Sequence, residues 1–222
     1  WWNESLDKLM TNFSLFFLYL ENINNSIEFH KDEIEKLDQN IGDGDHIFNI
    51  QRGLKESLSL REELKNNQLN EILKKVGIKI MTTVGGSSGA LFSTLLINMA
   101  KAYNNELSDQ KNIALMFDCG VEAMKKRGGA DLGEKTMLDV LIPVSKKLNE
   151  LADKKDSKEI ASEIMKAAEI GMLSTKDLIA TKGRASFLGE RSIGHIDPGA
   201  RSSQIAIEAI CNVVLNKLRR KQ

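Results

Sequence analysis

The sequence predicts an all-α fold, an up-and-down arrangement of antiparallel helices. Apolar residues recur at i, i+3, i+4 and i+7 through most of the chain, the spacing that lines one face of a helix. Strand-like alternation bounded by turns is absent. The connections between periodic segments are mostly short, which favours antiparallel neighbours.

The elements follow in order. A first helix is read over 5–26, around the apolar run Phe13–Leu20, and a second over 29–37. A third covers 46–60 and a fourth 68–82, where Leu69, Ile72, Leu73, Val76 and Ile80 share one face. The fifth covers 88–104. In the sixth, 109–127, Ile113, Met116, Phe117, Gly120, Val121 and Met124 keep the same rule. Helices over 137–152, 157–174 and 202–219 complete the set, the last carrying Ile207, Ile210, Cys211, Val214 and Leu218. Two connections are longer, 127–137 and 175–201, and both are rich in glycine and charge. Long irregular loops in a compact domain are often functional.

Bulk properties exclude several classes. The 222 residues suffice for one large domain or two small ones. Lys and Arg number 31, as do Asp and Glu, so no basic excess points to nucleic acid. Phe13–Leu20 is too short to span a bilayer, and no basic n-region precedes it, so neither a membrane span nor a signal peptide is expected. Cys119 and Cys211 are far apart, which argues against a disulfide framework or a cysteine zinc site and fits a reducing cytoplasm. The opening Trp1-Trp2, without Met, suggests a processed, tagged or incomplete start.

Four glycine-bearing segments stand between helices: 41–49, 84–90, 127–139 and 183–203. A glycine-rich loop that opens a helix offers free N–H groups and the positive end of the helix dipole, a combination that binds phosphate. Ser87 and Ser88 add hydroxyl donors. The plain alternative makes the glycines helix caps and turns. Asp38, just ahead of the first segment, and Asp43 and Asp45 within it lie within eight residues. Three carboxylates without cysteine neighbours suit a hard cation, and Mg²⁺ shared with a polyphosphate is its usual form. The plain alternative makes Asp38 a C-terminal turn residue and Asp43 and Asp45 N-caps. His46 caps the helix, touches phosphate or faces solvent.

Common nucleotide and calcium motifs do not fit. In GGADLGEKT (128–136), Glu134 separates Gly133 from Lys135, and a helix precedes where a P-loop needs a strand. GDGDHI (42–47) lacks both the third glycine of a dinucleotide fingerprint and its preceding strand. An EF-hand starting at Asp43 would place Phe48 at the obligatory glycine and Leu54 at the closing glutamate.

Taken together, LDQNIGDGDHIFNIQRG (37–53), VGGSSGALFST (84–94), RGGADLGEKTMLD (127–139) and GRASFLGERSIGHIDPGARSS (183–203) closely resemble the nucleotide-binding L subunit of dihydroxyacetone kinase. All four motifs occur in order, and the resemblance covers essentially the whole chain, so 1–222 is read as one such domain. It implies an antiparallel barrel of about eight helices, with ADP or ATP and two Mg²⁺ ions bound at one end. It implies that Asp38, Asp43 and Asp45 are the Mg²⁺ ligands. His46, Ile47, Phe48 and Asn49 would stand at the phosphates and helix start, with Ser87 and Ser88 in a second phosphate loop. Gly129, Thr136 and Met137 would line the base and ribose, and Arg184 with Asp197, Pro198 and Gly199 would close over the nucleotide. Ile47 replaces a usual glycine and Glu134 a usual aspartate.

The resemblance further implies a phosphotransferase that works as part of an assembly. The acceptor, dihydroxyacetone, would sit on a separate K subunit. A phosphohistidine carrier of the phosphotransferase system, the M subunit, would recharge the bound ADP. The alternatives are use of free ATP or a nucleotide-sensing regulatory role with a transcription regulator as partner. A homodimer is compatible with the resemblance, and a fatty acid as acceptor is disfavoured because no acceptor-binding domain is fused to the chain.

Overall fold

A computed structural model describes residues 12–154 and 156–219. The part of the first predicted helix over 5–11, and Trp1-Trp2, lie outside the described residues. Among them the chain forms nine α-helices and two 3-10 helices, with no strand. In order these are α1 (Asn12–Phe29), α2 (Lys31–Ile41), α3 (His46–Ser59), α4 (Leu69–Thr83), α5 (Gly86–Ala102), α6 (Asp109–Gly128), α7 (Leu138–Glu150), α8 (Ser157–Ser174) and α9 (Pro198–Arg219). The 3-10 segments, Thr175–Asp177 and Arg184–Ser192, the latter broken by a kink at Gly189 (φ +55), lie in the long connection expected to be irregular.

Each helix from α3 to α9 packs on the next, and α1 packs on both α9 and α3. Eight helices thus close an antiparallel ring, as the resemblance implied, and the ninth, α2, rests on α3 and α9. The ring closes around apolar side chains. Val121, Met124, Leu138, Val140, Val144, Ala168 and Ala200 form part of the largest cluster, with Phe17, Ile72 and Val76 in a second. Burying a side chain of this kind contributes about 1.5–3 kcal/mol, and these contacts, more than helix propensity, hold the elements in place.

Two boundaries differ most from the sequence reading, each by four residues. α2 runs on to Ile41, because Gly42 ends it by donating its N–H to the Asp38 carbonyl at 2.5 Å. Asp38 therefore belongs to the last helical turn. α9 starts at Pro198 rather than at 202. Proline suits a first helical turn, where an N–H is not needed, and Asp197 Oδ2 accepts the Ala200 N–H at 2.7 Å. Within α7, Pro143 has no N–H for the Asp139 carbonyl. α8 approaches that carbonyl at Gly171, where a Cβ would lie 2.2 Å from its oxygen.

Helices α3, α5, α7 and α9 begin at the end of the ring where α2, α4, α6 and α8 finish. All four glycine-bearing segments meet at that end.

Candidate functional site

Asp38 organises the first segment. Its side chain is buried, and Oδ2 accepts the His46 N–H at 3.0 Å, so it caps α3 from the neighbouring helix. Gly42 makes room for it: a Cβ there would stand 1.9 Å from Asp38 Oδ1. Asp45 directly precedes α3, but its carboxylate makes no capping bond. Capping by Asp43 and Asp45 therefore does not account for the cluster. One oxygen from each of Asp38, Asp43 and Asp45 lies within 4.8 Å of the others. Only hard oxygen donors converge there, and like charges this close favour an oxygen-seeking divalent cation over zinc or copper.

The neighbouring segments frame this cluster. Arg184 Nε pairs with Asp43 Oδ2 at 2.9 Å. Asn49 is buried one turn into α3, and its amide nitrogen stands 3.0 Å from where a Gly86 Cβ would be, with Asp45 Oδ2 at 3.7 Å. The start of α5 is thus pressed against Asp45 and Asn49, and no side chain caps it. Ser88 is buried in its first turn and Ser87 is exposed. Phe48 is exposed.

His46 neither caps α3 nor faces solvent. It is buried, with Nε2 3.0 Å from the Ser202 hydroxyl, which donates to the Gly199 carbonyl at 3.1 Å. Burial pushes its pKa below the usual imidazole value, against the nearby Asp38 and Asp45 charges. Burial thus favours its neutral form, and its contact with Ser202 ties α3 to the start of α9. Ile47 lies in the apolar cluster of Ile27, Ile34, Leu54 and Ile205. Among the described residues only Lys135 is a non-glycine with positive φ, so replacement of the usual glycine by Ile47 strains nothing.

The second half of the site is built by 129–139 and 175–199. Gly129 ends α6 in the left-handed conformation, φ +58. Thr136 and Asp139 open α7 as a capping box: Thr136 Oγ1 accepts the Leu138 N–H at 3.1 Å, and Asp139 Oδ2 accepts the Thr136 N–H at 2.7 Å. Asp139 Oδ1 also accepts the Gly133 N–H at 2.6 Å. Glu134 uses its extra methylene to reach in two directions, accepting from the Asp131 N–H at 2.6 Å and the Thr181 hydroxyl at 3.0 Å. The Asp131 N–H, ahead of burial and the Thr181 and Lys182 contributions, holds its pKa below the usual carboxylate range. Met137 packs against Gly199, 3.4 Å from the position of an added Cβ. Asp197 is buried and its pKa is raised to about 7 by that burial, with the Ala200 N–H and Lys135 opposing and Asp139 and Asp38 reinforcing.

Asp38, Asp43, Asp45, Asn49, Arg184 and the start of α5 therefore form one group. His46, Met137 and Asp197–Gly199 form an adjoining one. Sequence reasoning missed the buried pair Lys135 and Asp139. The spacing Thr136-x-x-Asp139 ahead of an apolar run is a capping-box signature and was the signal for the second.

A ring of antiparallel helices with three carboxylates and a helix start at one end defines a domain suited to a cation together with an anionic ligand. Comparison with known proteins makes this specific. The DAK2 domain model matches residues 40–212. The chain is 40% identical over 192 residues to the PEP-dependent dihydroxyacetone kinase 1, ADP-binding subunit DhaL, of Listeria innocua, covering 86% of this chain and 92% of that protein. It is likewise 40% identical to the PTS-dependent dihydroxyacetone kinase, ADP-binding subunit DhaL, of Lactococcus lactis, covering 88% and 95%. The fold matches the dihydroxyacetone kinase of C. freundii solved in complex with AMP-PNP and Mg²⁺, with TM-score 0.71 and 23% identity over 92% of this chain and 34% of that one. The chain belongs to the DAK2-domain family, as a DhaL-type member. Among the described residues no helix is long and apolar enough to cross a membrane.

Proposed function

We propose that this chain is the nucleotide-binding subunit of a dihydroxyacetone kinase, one domain over 1–222 that holds ADP or ATP with two Mg²⁺ ions. It transfers the terminal phosphoryl group to dihydroxyacetone held by a separate K subunit. The observation that carries the reading is the convergence of Asp38, Asp43 and Asp45 beside the starts of α3 and α5. The donor set fits the metal: all are carboxylate oxygens, one buried and anchored, two open to solvent. Mg²⁺ bound there neutralises phosphate oxygens and supplies the electrostatic part of phosphoryl transfer.

The chain's own groups do the rest. The open first turn of α5, with Ser87 and Ser88, offers donors to the β- and γ-phosphates. Backbone N–H groups at Ile47 and Phe48 lie at the opening of α3; the His46 N–H is taken by Asp38 and the Asn49 N–H by the Asp45 carbonyl, so Asn49 acts there through its side-chain amide. Gly129, Thr136 and Met137 line the base and ribose side, and Arg184 with Asp197–Gly199 covers the nucleotide. No residue here is read as a covalent nucleophile; positioning and electrostatics carry the rate.

The Listeria and Lactococcus relatives are named as PEP-dependent and PTS-dependent kinases, which supports recharging of bound ADP by a phosphohistidine carrier over exchange with free ATP. Reconstitution tests this. With K subunit, carrier and phosphoenolpyruvate-fed phosphotransferase proteins, dihydroxyacetone is phosphorylated; the chain alone transfers nothing. Transfer by the isolated chain would refute the division of labour. Full activity with ATP and no carrier would transfer the proposal to the ATP-dependent form. Nucleotide binding without transfer under any condition would favour a sensing subunit.

A further inference from the structure

One buried lysine lies beneath the site without a part in the reading above. Lys135 is 1% exposed. A buried ammonium is tolerated only when hydrogen bonds and counter-charges compensate it. Its Nζ donates to the carbonyls of Thr175 and His195, at the two ends of the 175–195 stretch. The carboxylates of Asp197, Asp177 and Asp139 stabilise its charge against the larger effect of burial, which pulls its pKa down.

The backbone adds an independent sign. Lys135 has φ +59, in the left-handed region. The chain has glycine at the seven other described positions with positive φ. A residue with a Cβ meets steric cost there, which glycine would avoid. The side chain, and not the backbone, therefore accounts for a lysine at this position.

We propose that Lys135 is a positioning residue for the nucleotide, resting on the reading that nucleotide binds at this end. Its ammonium staples the 131–137 turn to the 175–197 segment. The staple fixes Met137 against Gly199 and holds Asp197 at the mouth of α9. Two covering elements that share few other bonds are thereby set in one arrangement before ligand arrives. Glu134, through Thr181 and Lys182, is the exposed counterpart of this buried tie.

The test uses the full chain and two variants. Lys135→Met keeps the stem and loses the ammonium. Lys135→Gly loses the side chain and relieves the backbone. Amide hydrogen exchange is followed without ligand, and affinity for ADP with Mg²⁺ is measured by calorimetry beside Asp45→Asn. Exchange should accelerate in 131–137 and 175–197 of both variants, with α4 retaining wild-type rates. Affinity should fall about tenfold or more, as expected for a lost charged hydrogen-bonding group. Lys135→Gly should bind no better than Lys135→Met despite its relaxed backbone. Uniform acceleration throughout the chain, or failure of both variants to fold, would make Lys135 a support of the whole fold and overturn the proposal. Wild-type affinity in either variant would overturn it while leaving the site reading intact. Absence of ADP binding by the wild type itself would defeat the site reading and this inference with it.

Discussion

Replacing Gly42 with alanine tests the construction of the carboxylate cluster without touching a carboxylate. The Gly42 backbone is extended, so alanine meets no intrinsic penalty there. The conflict is local: the new Cβ would lie 1.9 Å from Asp38 Oδ1 and 3.0 Å from the Asp38 carbonyl oxygen. The Asp38 side chain has to rotate away, which breaks its bond to the His46 N–H and moves it out of the cluster. A hydrogen bond to a charged group contributes about 1.5–3 kcal/mol, and a helix cap about 0.5–2 kcal/mol. These are two descriptions of one bond, so the expected loss is about 2 kcal/mol. For a chain of this size that lowers the melting temperature by roughly 4–8 °C. Melting in EDTA isolates this part from any metal effect. Loss of an outer-shell partner typically costs roughly 10–100-fold in metal affinity, and displacing Asp38, itself one of the three carboxylates, should weaken Mg²⁺-dependent ADP binding by at least a comparable factor in calorimetry. A Gly42→Ala chain with unchanged melting temperature and unchanged affinity would refute the role given to Asp38 and its packing.

Other perturbations separate charge from architecture. Asp45→Asn should leave the helical content and melting temperature in EDTA unchanged or slightly improved, because a carboxylate leaves a repulsive cluster. Its Mg²⁺-dependent ADP affinity should drop at least about tenfold; unchanged affinity would remove Asp45 from the site. Asp197 has its pKa raised to about 7 by burial in the ligand-free chain, whereas an unfolded aspartate titrates near 3.9. Between those values the folded state holds a proton that the unfolded state has released. The stability this confers is therefore full at acid pH and is lost as pH rises through about 7. Asp197→Asn should gain on the wild type by roughly 1.4 kcal/mol per pH unit across that window in urea titrations. A difference independent of pH would contradict the burial of an ionisable Asp197.

The helices were legible because their apolar faces repeat at the helical period, as in Leu69–Ile80 and Ile113–Met124. Their ends were less so, since local bonds decide them. Gly42 stops α2 only after a further turn, and Pro198 opens α9 before its apolar face begins. Closure into a ring depends on which faces meet, and periodicity alone does not encode that; the motif resemblance supplied it. Asp38, Asp43 and Asp45 were visible as crowded charge around Gly42 and Gly44. The inward turn of His46 was not, because its partner Ser202 is 156 residues away. Lys135 was read only as part of a failed P-loop. Nothing in local sequence distinguishes a lysine that reaches the Thr175 and His195 carbonyls across the fold from one in solvent.

The proposed function has this end of the ring hold ADP through Mg²⁺ on three aspartates. Native mass spectrometry of the chain, purified without added nucleotide or chelator, tests it most directly. A species heavier by ADP and Mg²⁺ is expected, which EDTA converts to the bare chain and which ADP with Mg²⁺ restores in the wild type but not in Asp45→Asn. A bare chain that takes up no ADP when nucleotide and Mg²⁺ are supplied would contradict it.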